Sequence, residues 1–448
     1  MSVISSDRVR AVVGLGVSGV SCARFLASQN IDFYVIDSRE QPPGIDEVQQ
    51  LCPAEKIFLG NLDVLLTIPV TELYVSPGIP LSHPILKQLS KSGVLMRGDI
   101  DLFCDYVDAP IVAITGSNAK STVTTMVSDM LNVSGYQAVS GGNLGSAALD
   151  LLSEPVDYYV LELSSFQLET TRSLKAAVAT VLNVSEDHMD RYDSLYDYQR
   201  VKQRVYKYCR AAVCNKQDIL TVPLLPERTP VSAFTTGIPD LKEFGLLPDG
   251  KDLWLCRGVE RLINTSSIKL KGKHNYSNIL AALAILEMLN VPFKKDVITQ
   301  YLSEFGGLPH RCQTVRKIKG VTYVNDSKGT NVGATIAALE GLGMNKPNIH
   351  LILGGDGKGA DFSPLIKPVN QYVKHAYLFG ADADSLEFVL GAGVSCHRHD
   401  DLDSIVNAVY SFAQVGDIVL FSPACASFDM YQGYTHRGDH FISLVRAL

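Results

Sequence analysis

The string Thr115-Gly116-Ser117-Asn118-Ala119-Lys120-Ser121-Thr122 follows the apolar run Ile111–Ile114 and opens a helical pattern. In a loop of this kind backbone N–H groups cradle phosphates, the lysine (Lys120) meets the β/γ-phosphates and the hydroxyl (Ser121) ligates Mg²⁺. The string departs from the standard form, because Gly116 stands only four residues before Lys120 and Ala119 takes a position usually held by glycine. Downstream, Glu162 ends the run Tyr158–Leu161, and Asn183, Glu186, Asp187, His188, Asp190 and Arg191 follow the run Val178–Leu182. A carboxylate and an imidazole at the carboxyl ends of strands beside a phosphate loop can reach the same Mg²⁺. Near the start, Gly14-Leu15-Gly16-Val17-Ser18-Gly19 joins a strand to a helix, and Asp37 ends the next strand, at about the 20-residue offset of the dinucleotide fingerprint. From the residues alone this turn serves a nucleotide diphosphate or is purely structural. Three further polar, small-residue loops close later strands: Asn325–Asn331, Gly354–Lys358 and Ser422–Ser427. They suggest one more crevice, with Lys328 and Lys358 available to an anionic substrate.

The elements that must position these groups alternate short β-rich runs with longer helical stretches. The runs are Val9–Val13, Phe33–Ile36, Ile111–Thr115, Tyr158–Leu161, Val178–Leu182, Val321–Val324, His350–Leu353, Ala376–Phe379 and Ile418–Phe421, with Ser117–Val133 and Tyr276–Leu289 among the helices. Several runs are continuously apolar, as strands covered on both faces of a parallel sheet are. The expected fold is α/β in three domains, in line with a length of 448 residues. These are a Rossmann-like nucleotide domain (1–97), a central P-loop-type ATP-binding domain with a mostly parallel sheet (98–307), and a Rossmann-like C-terminal α/β domain (308–448). Pro223–Asn264, rich in turn residues, reads as a β-rich insertion, and Gly306–Pro309 as a hinge. The chain has 40 Lys+Arg against 47 Asp+Glu, a net charge of −7, which argues against a large nucleic-acid surface. Nine scattered cysteines without a CxxC pair point to free thiols in a reducing cytosol. No run suits a membrane span, and Ala11–Ala23, after Arg8 and Arg10, carries too much glycine for a signal sequence. A cytoplasmic monomer is expected.

Taken together and in order, these motifs resemble the signatures of the Mur ligase family. The resemblance rests on Thr115–Thr122, Leu161–Leu168, Asn183–Arg191, His274-Asn275, Leu308–Arg311 and Asn325–Lys328, and spans essentially the whole chain. Ser76–Ile79, Gly98-Asp99-Ile100, Ser164–Glu169 and Ser422–Ser427 resemble the branch that adds D-glutamate to UDP-N-acetylmuramoyl-L-alanine. The resemblance implies an ATP-dependent amide ligase of peptidoglycan precursor synthesis, with a UDP-sugar in the first domain in place of NAD. Gly14, Gly16, Ser18, Gly19, Asp37, Ser38, Arg39, Gly78 and Asn143 would hold it. ATP would lie on Gly116, Ser117, Asn118, Ala119, Lys120, Ser121 and Thr122, framed by Asn275, Asn278, Arg311 and Asp326. Ser121 and Glu162 would ligate one Mg²⁺; His188 and Lys202 would ligate a second. Lys202 matches a lysine that the family carries as a CO₂-derived carbamate; its local sequence shows only a solvated helix charge. Lys328, Thr330, Lys358, Ser427 and Tyr434 would bind D-glutamate, and Tyr434 stands where phenylalanine is expected.

The implied reaction activates a carboxylate with ATP as an acyl phosphate, which the amine attacks through a tetrahedral intermediate. Lys120, His188 and Lys202 form its catalytic frame, mostly by positioning and charge neutralisation. If residue 119 needs a positive φ, alanine costs about 1 kcal/mol there; the intact run from Lys120 favours ordinary helical backbone and a neutral change. Three other readings compete: a sister Mur or folylpolyglutamate ligase, an NAD(P)-dependent oxidoreductase built on Gly14–Gly19 and Asp37, and a nucleotide switch that Ala119 has disabled for turnover.

Overall fold

The computed structural model describes residues 8–153, 155–344 and 346–448. Three sheets organise it. The first is parallel, in the spatial order Ile57–Leu59, Tyr34–Asp37, Arg10–Val13, Glu72–Val75, Leu95–Arg97. Its strand order reverses between Arg10–Val13 and Glu72–Val75, and this is where the glycine turn sits, as open α/β sheets require of a ligand crevice.

The second sheet has nine strands, and Ile111–Thr115 lies inside it between Val178–Val181 and Tyr158–Glu162. Ile111–Thr115 is buried along its whole length, which explains its unbroken apolar run. The stretch expected to be a β-rich insertion continues this sheet instead. Val231–Phe234 pairs in parallel with Ala211–Asn215, and Phe244–Asp249, Asp252–Arg257 and Glu260–Asn264 complete the edge as antiparallel hairpins. The alternating turn residues marked strands correctly, but pairing across the chain decided which sheet they joined.

The third sheet orders Gln313–Ile318, Val321–Asn325, Ile418–Phe421, Ile349–Gly354, Val373–Phe379 and Ser395–Arg398, parallel except for the first. The three polar loops noted in the sequence therefore follow three adjacent strands. One apolar core runs from Val12 and Leu26 through Ile100 and Phe103 to Ala113 and Leu161, so the first two sheets share an interior. The third sheet packs its two faces with residues of its own unit only. No helix among the described residues is long and apolar enough to cross a membrane, and all nine cysteines are free.

One face of the third sheet carries a row of histidines. His350 lies opposite His375, their rings stacked 5.5 Å apart, and His375 Nδ1 lies 3.1 Å from His397 Nε2. Burial lowers the proton affinity of His350, His375 and His399, reinforced for the last two by His397; the Asp417 carboxylate beside His350 opposes it. A histidine held below its unfolded value near 6.5 takes up protons on unfolding, so stability is lost as pH falls through that value. The melting temperature should drop between pH 7 and pH 5, by about 2–4 °C for each kcal/mol lost. The double substitution His375→Gln, His399→Gln should flatten that slope; an unchanged slope would refute the assignment.

Candidate active site

Strand Ile111–Thr115 delivers the phosphate loop, and helix Lys120–Val133 leaves it. The loop is stapled to the next strand end: Ser117 N–H donates to the Asn183 carbonyl (2.9 Å), Asn118 N–H to Asn183 Oδ1 (2.8 Å), and Ser185 N–H to Ser117 Oγ (3.0 Å). Ala119 has φ +66°. The expectation of ordinary helical backbone at this residue is therefore wrong. The loop turns left-handed before Lys120, and a Cβ in that conformation costs about 1 kcal/mol.

Lys120 Nζ curls back over the loop to the carbonyls of Gly116 and Ser117, 2.9 Å each. Lys202 Nζ reaches the same Gly116 carbonyl at 2.9 Å, with the Tyr198 ring 4.3 Å away. The side chain of Lys202 is fully buried, which overturns the reading of it as a solvated charge. Burial, then the neighbouring Lys120, drives its amine well below the ordinary lysine range. Burial also pushes His188 down to about 4, so its imidazole is neutral at pH 7. Its ring packs on Phe166. Glu162 is buried; burial works to raise its carboxyl, but Lys120, the Ser121 hydroxyl and the Asn143 amide hold it below the usual range. Asn143 Nδ2 donates to its Oε1 at 2.7 Å, while Oε2 has no partner.

These groups face one cleft of about 250 Å³ that also takes in Arg311, Lys328 and Thr330 from the third unit. A buried anionic oxygen without a partner, beside the Ser121 hydroxyl, suits a hard cation. The neutral His188 imidazole and the Lys202 amine suit a second ion only if the amine carries an anionic oxygen group. Among the described residues no three His, Cys, Asp or Glu side chains stand close enough to cage a metal by themselves. Phosphate oxygens and water must therefore complete either site, as Mg²⁺ usually allows.

Two more clefts adjoin. One, of about 190 Å³, is lined by Thr122, Asn275, Asn278, Arg311, Asp326 and Lys328. Burial raises Asp326 to about 6, against donation from Ser422 Oγ (2.7 Å) and Cys312 N–H (3.0 Å). The other, of about 580 Å³, joins the first two units and takes in Gly14, Gly16, Ser18, Asp37, Ser38, Arg39, Gly78 and Asn143. Gly19 does not line it. A Cβ there would fall 1.8 Å from the Gly14 carbonyl, so this glycine lets the helix pack on the turn beneath the cleft. Asp37 is buried and folded onto the protein, accepting from Leu15 N–H (2.6 Å) and from the Arg39 guanidinium (2.8 Å).

Of the remaining residues assigned to D-glutamate, Tyr434 covers Lys328, its ring centre 3.9 Å from Nζ, and Ser427 is buried. Burial, then Arg311 and Lys120, lowers Lys328 to about 8. Lys358 is ion-paired with Asp187 of the central unit. Four hydrogen bonds also join these units: Asn331 and Asn118 exchange amide hydrogen bonds (3.1 and 3.2 Å), Asn331 Nδ2 donates to Asp187 Oδ2 (3.0 Å), and Arg311 donates to Ser121 Oγ (2.7 Å). The third unit is thus closed on the second. Sequence reasoning named Asp187 and Asn331 only within their loops, gave neither a part in joining the units, and missed Arg437. Arg437 is fully buried and donates to carbonyls of Ser327, Cys425 and Ala426, one in the loop Asn325–Asn331 and two in the loop Ser422–Ser427, at 3.0–3.1 Å. The available signal was its place one helical turn after Tyr434, on the face that meets those loops.

Comparison with known proteins agrees. Residues 8–98 match the Mur ligase MurD-like N-terminal domain, residues 114–286 the Mur ligase middle domain, and residues 310–425 the Mur ligase glutamate ligase domain. The chain is 49% identical to the UDP-N-acetylmuramoylalanine–D-glutamate ligase of Pseudomonas savastanoi pv. phaseolicola, and 47% identical to that of Pseudomonas aeruginosa; each alignment covers 100% of both chains. In structure it resembles the MurF ligase of Thermotoga maritima in complex with ADP (TM-score 0.62, 17% identity, 99% and 96% of the two chains). It also resembles the UDP-N-acetylmuramate–alanine ligase MurC of that organism (TM-score 0.61, 16% identity, 98% and 99%).

Replacing the strained residue should relieve it. Ala119→Gly should stabilise the protein by about 1 kcal/mol, read as a higher melting temperature, with KM for ATP unchanged or lower. A lower melting temperature would show that the left-handed turn carries no strain. With its three matched domains, its phosphate loop and its full-length relatives, the chain belongs to the Mur ligase family.

Proposed function

We propose that the chain joins D-glutamate to UDP-N-acetylmuramoyl-L-alanine, splitting ATP to ADP and phosphate, in the cytoplasmic synthesis of peptidoglycan precursors. One observation carries this reading. Asn143 borders both the cleft of the glycine turn and the cleft of the phosphate loop, and Arg311 and Lys328 border both the latter and the cleft of Asn275 and Asp326. A nucleotide sugar in the first cleft and ATP in the third would meet at Lys120, where the second opens.

In this scheme the L-alanyl carboxylate attacks the γ-phosphorus and ADP leaves, giving an acyl phosphate. The D-glutamate amine then attacks the acyl carbon, loses its proton, and phosphate departs from the tetrahedral intermediate. Lys120, Arg311 and Lys328 neutralise the phosphates, since phosphoryl transfer asks mainly for positioning and charge compensation. Ser121 and Glu162 would hold one Mg²⁺ and His188 and Lys202 another; when bound, the ions supply charge neutralisation at the phosphates. Lys202 fits the carbamate role because burial draws its amine well below the ordinary lysine range, and only an unprotonated amine adds CO₂. Lys328 and Thr330, with Lys358, Ser427 and Tyr434 behind them, form the D-glutamate side; cations suit a dicarboxylate. Asp37, engaged by Leu15 and Arg39, leaves the ribose-hydroxyl contact of a dinucleotide unsupported, which favours UDP over NAD(P).

Phosphate release from ATP should require both UDP-N-acetylmuramoyl-L-alanine and D-glutamate. Turnover with meso-diaminopimelate or L-alanine, and none with D-glutamate, would assign the chain to a sister ligase; no ligation at all would leave a nucleotide switch. Lys202→Ala should lower kcat by about 10²-fold or more, on the scale of losing one preorganised charge contact, with partial recovery on adding acetate or formate. Near-normal turnover without additive would refute the carbamate.

A further inference from the structure

Asp99 belongs to a motif that the reaction scheme leaves without a role. It is the first residue of helix Asp99–Tyr106, which lies between the first two sheets. Its carboxyl is buried, with no arginine or lysine paired to it. Oδ2 accepts a hydrogen bond from Gln167 Nε2 at 3.0 Å, the Ser18 hydroxyl and the backbone N–H groups of Asp99 and Ile100 lie near the same carboxyl, and Oδ1 has no hydrogen-bond partner. An isolated buried carboxylate is expensive unless its hydrogen bonds are essential.

Its two neighbours are not ordinary core residues. Ser18, at the start of helix Val17–Ser28, and Gln167 both line the cleft of the glycine turn. The Gln167 amide is fixed at its other end as well. Its Oε1 accepts from Ser164 N–H (3.1 Å), and Ser164 Oγ accepts from Gln167 N–H (3.1 Å), a capping box that starts helix Ser165–Thr170. Ser164 in turn lines the cleft of Lys120 and Glu162, two residues beyond Glu162. Gly98 leaves room for the Thr170 side chain beside this contact: a Cβ on Gly98 would fall 2.3 Å from Thr170 Oγ1.

We infer that Asp99 is a positioning residue for the nucleotide-sugar substrate: through Ser18 and the Gln167 amide it fixes the glycine turn in register with the strand end that carries Glu162. The inference rests on the proposed substrate. Burial raises the carboxyl, against the offsetting donation from Gln167, so an amide in its place keeps the shape and avoids the buried charge.

The test is steady-state kinetics of the full-length enzyme with UDP-N-acetylmuramoyl-L-alanine, D-glutamate and ATP, alongside thermal unfolding. Ligation by the unaltered protein establishes the substrate reading first, and its absence overturns that reading and not the Asp99 contact. Direct binding of UDP-N-acetylmuramoyl-L-alanine by calorimetry then reads the contact without turnover. Asp99→Ala should raise KM for the nucleotide sugar, or its Kd, about tenfold or more while KM for ATP stays within about twofold. Gln167→Ala, which cuts the same contact from the other side, should show the same split, and Asp99→Asn should recover most of it. A common rise in both KM values, or a lower melting temperature with an unmoved KM ratio, would reduce Asp99 to a helix-start residue and overturn the inference. If Asp99→Ala does not fold, the KM ratio of Gln167→Ala decides alone.

Discussion

The Gly116 carbonyl, buried and shared by two lysine amines, constrains the rest of the site. Lys120 and Lys202 both donate to it at 2.9 Å. Two full positive charges cannot rest comfortably on one neutral acceptor in a site closed to water. Burial, then the charge of Lys120, answers this by drawing the Lys202 amine well below the ordinary lysine range. The loop that presents the carbonyl is correspondingly unusual. Gly116 has φ +154° and Ala119 φ +66°, and the bonds to Asn183 and Ser185 hold that shape without ligand. The strain at Ala119 is thus stored by a loop pinned on both sides.

The central parallel strands were legible in the sequence, whereas others such as Glu72–Val75, Ala138–Gly142 and Ala211–Asn215 were not singled out. Ile111–Thr115 and Ile418–Phe421 are read to the residue, because a strand covered on both faces must be apolar throughout. Motif residues were legible where neighbours in sequence are also neighbours in function, as in the phosphate loop. Lys202 was not, because its burial comes from Tyr198 on its own helix and Gly116 on a distant loop, neither of which alters the local pattern. Arg437 was hidden for the same reason: a cation enclosed by carbonyls of Ser327, Cys425 and Ala426 looks in sequence like any helix-surface arginine. The backbone of Ala119 was misjudged because alanine gives no sign of a left-handed turn, whereas glycine would have announced it.

Charge follows the same logic of enclosure. The chain is acidic overall, at −7, yet Lys120, Lys202, Arg311 and Lys328 converge on one cleft with Glu162 and Asp187 set among them. Net charge reports on solubility and long-range attraction, whereas a cleft creates its own field by excluding water. Depressed lysines are the mark of that field. Burial first, and the neighbouring cations after it, lower both lysines, Lys328 to about 8 and Lys202 well below the ordinary lysine range. Such crowding is relieved by bound anions, so the cleft is electrostatically suited to phosphate and carboxylate.

The division of the interior explains how such a cleft can fill and empty. The first two sheets share one apolar core, so they cannot separate without exposing residues such as Ile100 and Phe103. The third sheet keeps its cores to itself and meets the second through Arg311 to Ser121, the Asn331–Asn118 amide pair and Lys358 to Asp187. Hydrogen bonds of this kind contribute about 0.5–1.5 kcal/mol each, or up to about 3 with a charged partner. Water replaces them at little cost when the units part. Closure can therefore be shallow in the free protein and deep once anions bridge Lys120, Arg311 and Lys328. A reactive acyl phosphate needs this arrangement: an interface too polar to be permanent, whose partners become fully satisfied only when substrates complete it.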